Sequence, residues 1–504
     1  MDDTTGSGQN RSKRNFLITA AVFIAALFYV RDGVFRALWF DEALTFMNFA
    51  ALPGPAEIYH NYVIPNNHII YTILLKYWAM LYQPVIAFDV HLRLLSVIFT
   101  LGAFALMIFR WKKQCGIMPV ALICLCFAFS LPFAIYSVAV RGYMLSFLLV
   151  AAALELARLW MRGANWKNGT GYFIVSLLAV GTIPSNIIAL GAVVLCFAGF
   201  PLKNRKFIAR FAFLAIVPLI ALLIFYFPIW NVVSSKILKL KEGWPDGVAA
   251  MIVIYSSWII SFLPAILAAI LALPLLLGRK KYRMNMALAA LVLLLPVPFF
   301  FVLSPAPFPR VFFALWPVWM YLLCRALGHL FAFARLKKYR IAAKPLLPLA
   351  IFAAAIFAWG MAQQEIKEDL SVKLVGTQAL DDYFSPYYMK SYFNPFDVVK
   401  ALQAQGETEF PKKVFLSFDA DPYSIIFYGN MLGVPFDVWR FDGPRGRVSE
   451  LDNNCRRAIT AGEGDENKFR QRFKGKTLEL LPVAESFQRT CLIKDREDAT
   501  PSGK

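Results

Sequence analysis

An Asp-Glu pair opens the run Asp41-Glu42-Ala43-Leu44-Thr45, in the first hydrophilic stretch after the first long apolar segment of the chain. A carboxylate in such a place suits proton abstraction from an attacking hydroxyl, or cation binding. Loop arithmetic, given below, puts several other polar groups on the same side of a membrane. These are Pro65-Asn66-Asn67-His68; Asp89, His91 and Arg93 where an apolar run begins; Arg141 and Tyr143 between two runs; Ser185 and Asn186 at a Pro-containing break; Lys236, Lys239 and Lys241; and Arg310 after Ser304-Pro305-Ala306-Pro307-Phe308-Pro309. A carboxylate base, amides and several cations on one face fit transfer from a phosphate-linked donor held in a membrane. The carboxylate takes the hydroxyl proton while Arg and Lys stabilise the departing phosphate. Ionisable groups near membrane depth are costly, which makes them functional candidates.

The elements that must position these groups are apolar helices. With 59% hydrophobic and 17% charged residues among 504, and a mean hydropathy of +0.56, the composition is that of a polytopic membrane protein. The apolar runs predict eleven spans, at about 16–31, 90–109, 117–138, 143–160, 171–183, 186–200, 209–229, 250–277, 285–303, 311–331 and 345–361. Basic clusters around Arg110–Lys113, Arg158–Lys167, Lys203–Arg210, Arg279–Arg283 and Arg335–Lys344 then all fall on the side of Arg11, Lys13 and Arg14. By the positive-inside rule that side is cytoplasmic. The formal net charge of +20 is therefore explained by orientation signals, and nucleic acid is excluded as a partner.

This topology divides the chain into a cytoplasmic tail (1–15), a transmembrane domain (16–361) whose first external loop is 32–89, and an external domain (362–504). The first span ends without a small-residue cleavage site and reads as a retained signal anchor. The run His68 to Tyr82 is short and contains Lys76, so it reads as an interfacial or re-entrant helix. The break at Gly181 to Asn186 reads as a hairpin tip. In the external domain, Lys413–Phe418, Val434–Phe441 and Thr477–Val483 read as strands and Tyr423–Leu432 as a helix, which predicts a small α/β fold. Cys455 and Cys491, its two cysteines, allow either a disulfide in an oxidising compartment or two buried thiols. The aromatic stretch Tyr383 to Phe393 suits packing between domains, sugar stacking or a headgroup level.

The Trp39-Phe40-Asp41-Glu42-Ala43 loop, the Pro65-Asn66-Asn67-His68 lead into Ile69 to Trp78, His91-Leu92-Arg93-Leu94-Leu95-Ser96 and Val140-Arg141-Gly142-Tyr143 together resemble the GT-C glycosyltransferases. Within them the likeness is to the bacterial branch with protein O-mannosyltransferase, aminoarabinose transferase and rhizobial lipopolysaccharide sugar transferase types, over roughly residues 10–330. The resemblance implies a polyprenyl-phosphate sugar donor and a lipid, glycan or protein acceptor. It also implies transfer, usually inverting, on the extracytoplasmic (periplasmic) side of the inner membrane. Asp41 would be the base, with Glu42 orienting the acceptor or sharing the proton. Asn67, His68 and Tyr143, on the matching motifs, are substrate-binding candidates, although where many relatives have His-Pro-Pro this chain has Asn66-Asn67-His68; the cations near the donor phosphate match no fixed motif, and Arg310, Arg141 and Arg93 are the candidates in that order.

No cofactor is implied. A divalent metal is left open, since relatives using monophosphate-linked sugars resemble metal-free enzymes and no His/Asp/Glu cluster here has ligand spacing. Each site also has a structural reading: acids cap helix N-termini, His68 suits a helix start, and the arginines suit interfacial snorkelling. A transporter or flippase of lipid-linked glycans is the alternative function, but it predicts matched halves with broken helices, which the chain lacks.

Overall fold

The structure, a computed structural model, describes residues 4–61, 67–128, 130–197, 205–239, 280–302, 309–334, 394–404, 413–416, 421–434, 437–440, 457–460, 463–473, 475–481 and 489–495. The expected spans 250–277 and 345–361, the Tyr383 to Phe393 stretch, Asn66, Lys241 and Cys455 lie outside them. Contacts divide the chain into two compact units, Met1–Val34 with Pro53–Phe384 and Phe35–Leu52 with Ser385–Lys504. Phe35–Leu52, the stretch carrying Asp41 and Glu42, thus groups with the C-terminal residues.

The first unit is helical: α1 (Thr4–Val34), α3 (Pro55–His60), α4 (Ile69–Met80), α5 (Phe88–Leu106), α6 (Lys112–Cys115), α7 (Ile117–Ala128), α8 (Leu131–Tyr136), α9 (Tyr143–Gly163), α10 (Trp166–Thr182), α11 (Asn186–Leu195), α12 (Arg205–Tyr226), α13 (Trp230–Lys239), α14 (Lys280–Leu294), α15 (Pro296–Val302) and α16 (Trp316–Ala334). Among the described residues four stretches suffice, by length and composition, to cross a membrane: Phe88–Cys115, Tyr143–Gly163, Arg205–Ser234 and Arg310–His329. They coincide with four of the expected spans. The expected span 16–31 lies inside α1, and 171–183 and 186–200 are two helices, α10 and α11. The helix α4, at 12 residues, is roughly 18 Å long and too short to span, as its Lys76 implied.

Two boundaries differ from expectation. The run 117–138 is not one helix, because Ser130 ends it and starts another: its Oγ donates to the Phe127 carbonyl at 2.7 Å and accepts from Phe133 N–H at 3.4 Å. Pro132, in the first turn of α8, needs no intrahelical donor there. Lys236 and Lys239, expected in a loop, belong to the helix α13, which continues α12 through a 3₁₀ turn, Phe227–Ile229.

Aromatic rings fill the unit between α5, α7, α9 and α16. Phe127 stacks on Phe147 at 4.9 Å, Phe104 meets Phe133 at 5.5 Å, and Tyr136 meets Phe313 at 5.1 Å. At the α5–α6 end, Glu155 accepts from Arg110 Nε at 3.0 Å and Arg158 Nε at 2.8 Å, so its buried charge is doubly paired. Close to it α16 crosses α6 at Gly328, where an added Cβ would stand 2.8 Å from the Cys115 carbonyl oxygen. That neighbour is backbone and cannot swing aside. Gly328→Ala is expected to destabilise by about 1–3 kcal/mol through overpacking, read as a lower thermal midpoint of the detergent-solubilised chain. Gly191→Ala, with nothing within 4 Å of its new Cβ, serves as the comparison.

The second unit contains α2 (Phe40–Thr45, followed by the π-helical turn Phe46–Ala50), α17 (Pro395–Ala404), β1 (Lys413–Leu416), α18 (Pro422–Met431), β2 (Asp437–Arg440), β3 (Arg457–Thr460), α19 (Glu463–Arg472), β4 (Lys476–Leu480) and β5 (Arg489–Asp495). The sheet order is β2-β1-β3-β5-β4, parallel over the first three strands and antiparallel over the rest. The parallel β1–β2 pair requires a crossover, which α18 supplies. Among the described residues the three expected strands are present as β1, β2 and β4, and the expected helix as α18. The strands β3 and β5 and the helices α17 and α19 are additions to that reading. Cys491 is a free thiol packed with Phe415, Ala458 and Phe469, so the free-thiol reading holds for it; burial pushes it up to about 11.

Candidate active site

The first unit builds a polar site around one imidazole. Asn67 Nδ2 donates to the Ile58 carbonyl at 3.1 Å and its Oδ1 accepts from Thr72 Oγ1 at 3.0 Å, which fixes the turn from α3 into α4. His68 follows, 4% exposed, with its carbonyl accepting from Thr72 N–H at 2.8 Å. Gly142 N–H donates to His68 Nδ1 at 2.8 Å. That nitrogen therefore carries the lone pair, and the proton of the neutral ring sits on Nε2. Burial, then the charges of Arg141 and Arg310, hold the imidazole well below its usual range, so it is neutral. Nε2 lies 3.3 Å from Nη2 of Arg141. Two N–H donors thus converge, an arrangement that suits an anionic oxygen accepting from both.

Arg141 is held there by the loop that precedes α9. On α5, Arg93, Ser96 and Thr100 recur at the i, i+3, i+7 spacing of one helix face and donate to the carbonyls of Val138 (3.2 Å), Ala139 (2.5 Å) and Ser137 (3.0 Å). Arg93 is thus engaged in holding the Arg141 loop. The Tyr143 ring closes the site, edge-on to His68 at 5.1 Å and beneath the Arg141 guanidinium at 5.8 Å. Gly142 has no room for a side chain: a Cβ would stand 2.6 Å from Thr182 Cγ2 and 3.1 Å from His68 Nδ1. On the far side of α10, Ser185 Oγ donates to the Val311 carbonyl at 2.9 Å, beside Arg310, and Asn186 Nδ2 donates to Ser146 Oγ at 2.8 Å. Asn67, His68, Arg93, Arg141, Tyr143 and Arg310 are therefore gathered within one unit.

Asp41 and Glu42 belong to the other unit. Glu42 is fully buried and reaches back to accept from Trp39 N–H at 3.1 Å, the carboxylate half of a capping box, with Arg36 at 4.0 Å. Asp41, 7% exposed, is one residue earlier on the same first turn, with its carbonyl accepting from Thr45 Oγ1 at 2.7 Å. The turn rests on α18: Leu38 N–H donates to Tyr428 Oη at 2.8 Å, and the Phe40 and Tyr423 rings meet edge to face at 4.9 Å. This packing brings in Asp421, which the sequence reading did not single out. An Asp-Pro start to a helix was visible in the sequence; its neighbour 380 residues earlier was not. Among the described residues no three His, Cys, Asp or Glu are grouped to hold a metal ion.

The fold of the chain is GT-C-like, by its likeness to two solved structures. The chain is similar to the crystal structures of ArnT from Cupriavidus metallidurans. The undecaprenyl phosphate complex gives a TM-score of 0.55 at 12% identity, covering 96% of this chain and 99% of that one. The apo state gives 0.57 at 12% identity, covering 98% and 100%. No protein-family model matches the chain, and no curated protein matches it by sequence.

Proposed function

We propose that this chain is a membrane glycosyltransferase that moves a sugar from a polyprenyl-phosphate-linked donor to a hydroxyl of an envelope lipid, glycan or protein. The transfer is placed on the extracytoplasmic side of the inner membrane, with inversion and with Asp41 as general base. The observation that carries the reading is the convergence of His68 Nε2–H and the Arg141 guanidinium, under the charge of Arg310. That set of donors fits a phosphate oxygen. The fold shared with a transferase whose structure holds undecaprenyl phosphate supports it.

In the step proposed, the acceptor oxygen attacks the anomeric carbon and the bond from that carbon to the phosphate oxygen breaks. Its electron pair leaves on the phosphate, where Arg141, His68 and Arg310 meet the charge. The hydroxyl proton passes to Asp41. Glu42 holds the first turn of α2, and through it the aim of Asp41. The chain's own residues account for each of these tasks.

The test is incubation of the purified protein in detergent with a labelled polyprenyl-phosphate sugar and envelope lipids, followed by mass spectrometry of the products. Label is expected to move onto an acceptor. Movement of intact donor across reconstituted vesicles without any product would overturn the reading in favour of a flippase. Gly142→Ala is expected to lower the rate by about tenfold, since its Cβ would stand 2.6 Å from Thr182 Cγ2 and 3.1 Å from His68 Nδ1 and crowd the imidazole out of place. A rate within a few-fold of the parent would show that the His68 position is not critical.

A further inference from the structure

Asp421 is buried at the start of α18, 1% exposed against 7% for Asp41. It caps α18 with one oxygen only: Oδ1 accepts from Ser424 N–H at 3.1 Å, while Oδ2 is buried with no hydrogen-bond partner among the described residues. Its backbone is left-handed (φ 54°, ψ 72°), a conformation costly for a non-glycine residue and concentrated at functional sites. The carboxyl lies against the start of α2, near enough for Phe40 N–H to bond to it and for the charge of Asp41 to act on it.

Two carboxyls sharing a buried neighbourhood do not both ionise cheaply, and the less solvated one keeps the proton. We propose that Asp421 is a positioning residue for Asp41: it holds the proton of the pair, so that Asp41 is the ionised member and the seam between α2 and α18 stays closed. This rests on the transferase reading above. The proton taken from the acceptor goes to Asp41 and then to water, and Asp421 keeps its own throughout.

Other charged groups near the seam, among the described residues, have partners. Glu42 faces Arg36, Asp397 of α17 accepts from Asn394, and Lys400 lies over the Phe396 ring at 4.4 Å. On α18 itself, Tyr428 takes the Leu38 N–H and Tyr423 packs on Phe40. Burial first, then the Asp41 charge, raise Asp421 to about 7 against the hydrogen bonds of Ser424 and Phe40. Above that pH a second negative charge stands beside Asp41, and relieving it requires water to enter the seam and shift the base.

Two measurements on the full-length protein test this. The transfer rate of the parent is expected to fall about tenfold as pH rises a unit or two past 7, a loss of position of well under an ångström. Asp421→Asn and Asp421→Ser, which keep a helix cap and cannot ionise, are expected to lose that limb of the profile. A limb unchanged in both variants, or a uniform drop at every pH with the parent's profile, would assign Asp421 to capping alone and overturn the proposal. The second readout needs no transfer: the infrared difference between parent and Asp421→Asn is expected to show a protonated carboxyl lost around pH 7 and lost at lower pH when Asp41→Asn is added. Loss near the ordinary 3.8 overturns the proposal even if transfer is observed. The expected infrared signal without any transfer would instead remove the transferase reading and leave the carboxyl pair standing.

Discussion

Asp41→Asn is expected to lower sugar transfer by on the order of 10²–10⁴-fold, the range for removing a general base. The substitution keeps the side chain's size, and Asn is tolerated in a first helical turn, so α2 keeps its place. Three anchors of α2 are untouched by the substitution: Glu42 caps Trp39 N–H, Leu38 N–H bonds to Tyr428, and Phe40 packs on Tyr423. What is lost is the proton acceptor. Single-turnover transfer with donor bound should slow, while donor affinity, set by the other unit's cations, should hold. A rate within tenfold of the parent would remove Asp41 as the base. Glu42→Gln separates the neighbouring roles: it weakens a cap, and the expected cost of about 0.5–2 kcal/mol falls on stability first.

Arg141→Gln is expected to cost about 10²–10³-fold in transfer, comparable to removing one preorganised donor from a developing anion. The reason is burial. Arg141 is 1% exposed and its Nη2 lies 3.3 Å from His68 Nε2, so no water replaces its charge at the site. Arg141→Lys should not restore the rate, because an ammonium lacks the planar fork that reaches an oxygen beside Nε2. Binding of polyprenyl phosphate, followed by a change in intrinsic fluorescence or by calorimetry, should weaken in both variants. Unchanged affinity would move the phosphate away from this site. The thermal midpoint has to be followed in parallel, since Arg141 also packs over Tyr143.

The residues at the first-unit site were legible in different degrees. His68 and Arg141 stood out because polar groups at the ends of apolar runs have few reasons to be there. Arg93 looked the same in sequence, yet its guanidinium serves the Val138 carbonyl and acts on the site through the loop it steadies. Ser96 and Thr100 drew no attention: hydroxyls are common on apolar helices, and only the carbonyls opposite them reveal their use. Gly142 sat inside a noted motif, but the need for glycine arises from Thr182, 40 residues further on.

Hydropathy and charge determined what local composition can determine, because partition into a membrane is additive over a run of neighbours: the helical class, the helices at 88, 143, 205 and 310, and the short α4. The tail's α/β character followed from alternation over a few residues. Tertiary structure alone decided the grouping of Phe35–Leu52 with the C-terminal residues, the seating of Leu38 on Tyr428 and the packing of Phe40 on Tyr423 beside Asp421. Those contacts join segments hundreds of residues apart, and neither partner's local pattern changes when the other is present. The pairing is selected by packing and by the hydrogen bonds that burial requires, which exist only once the chain has folded.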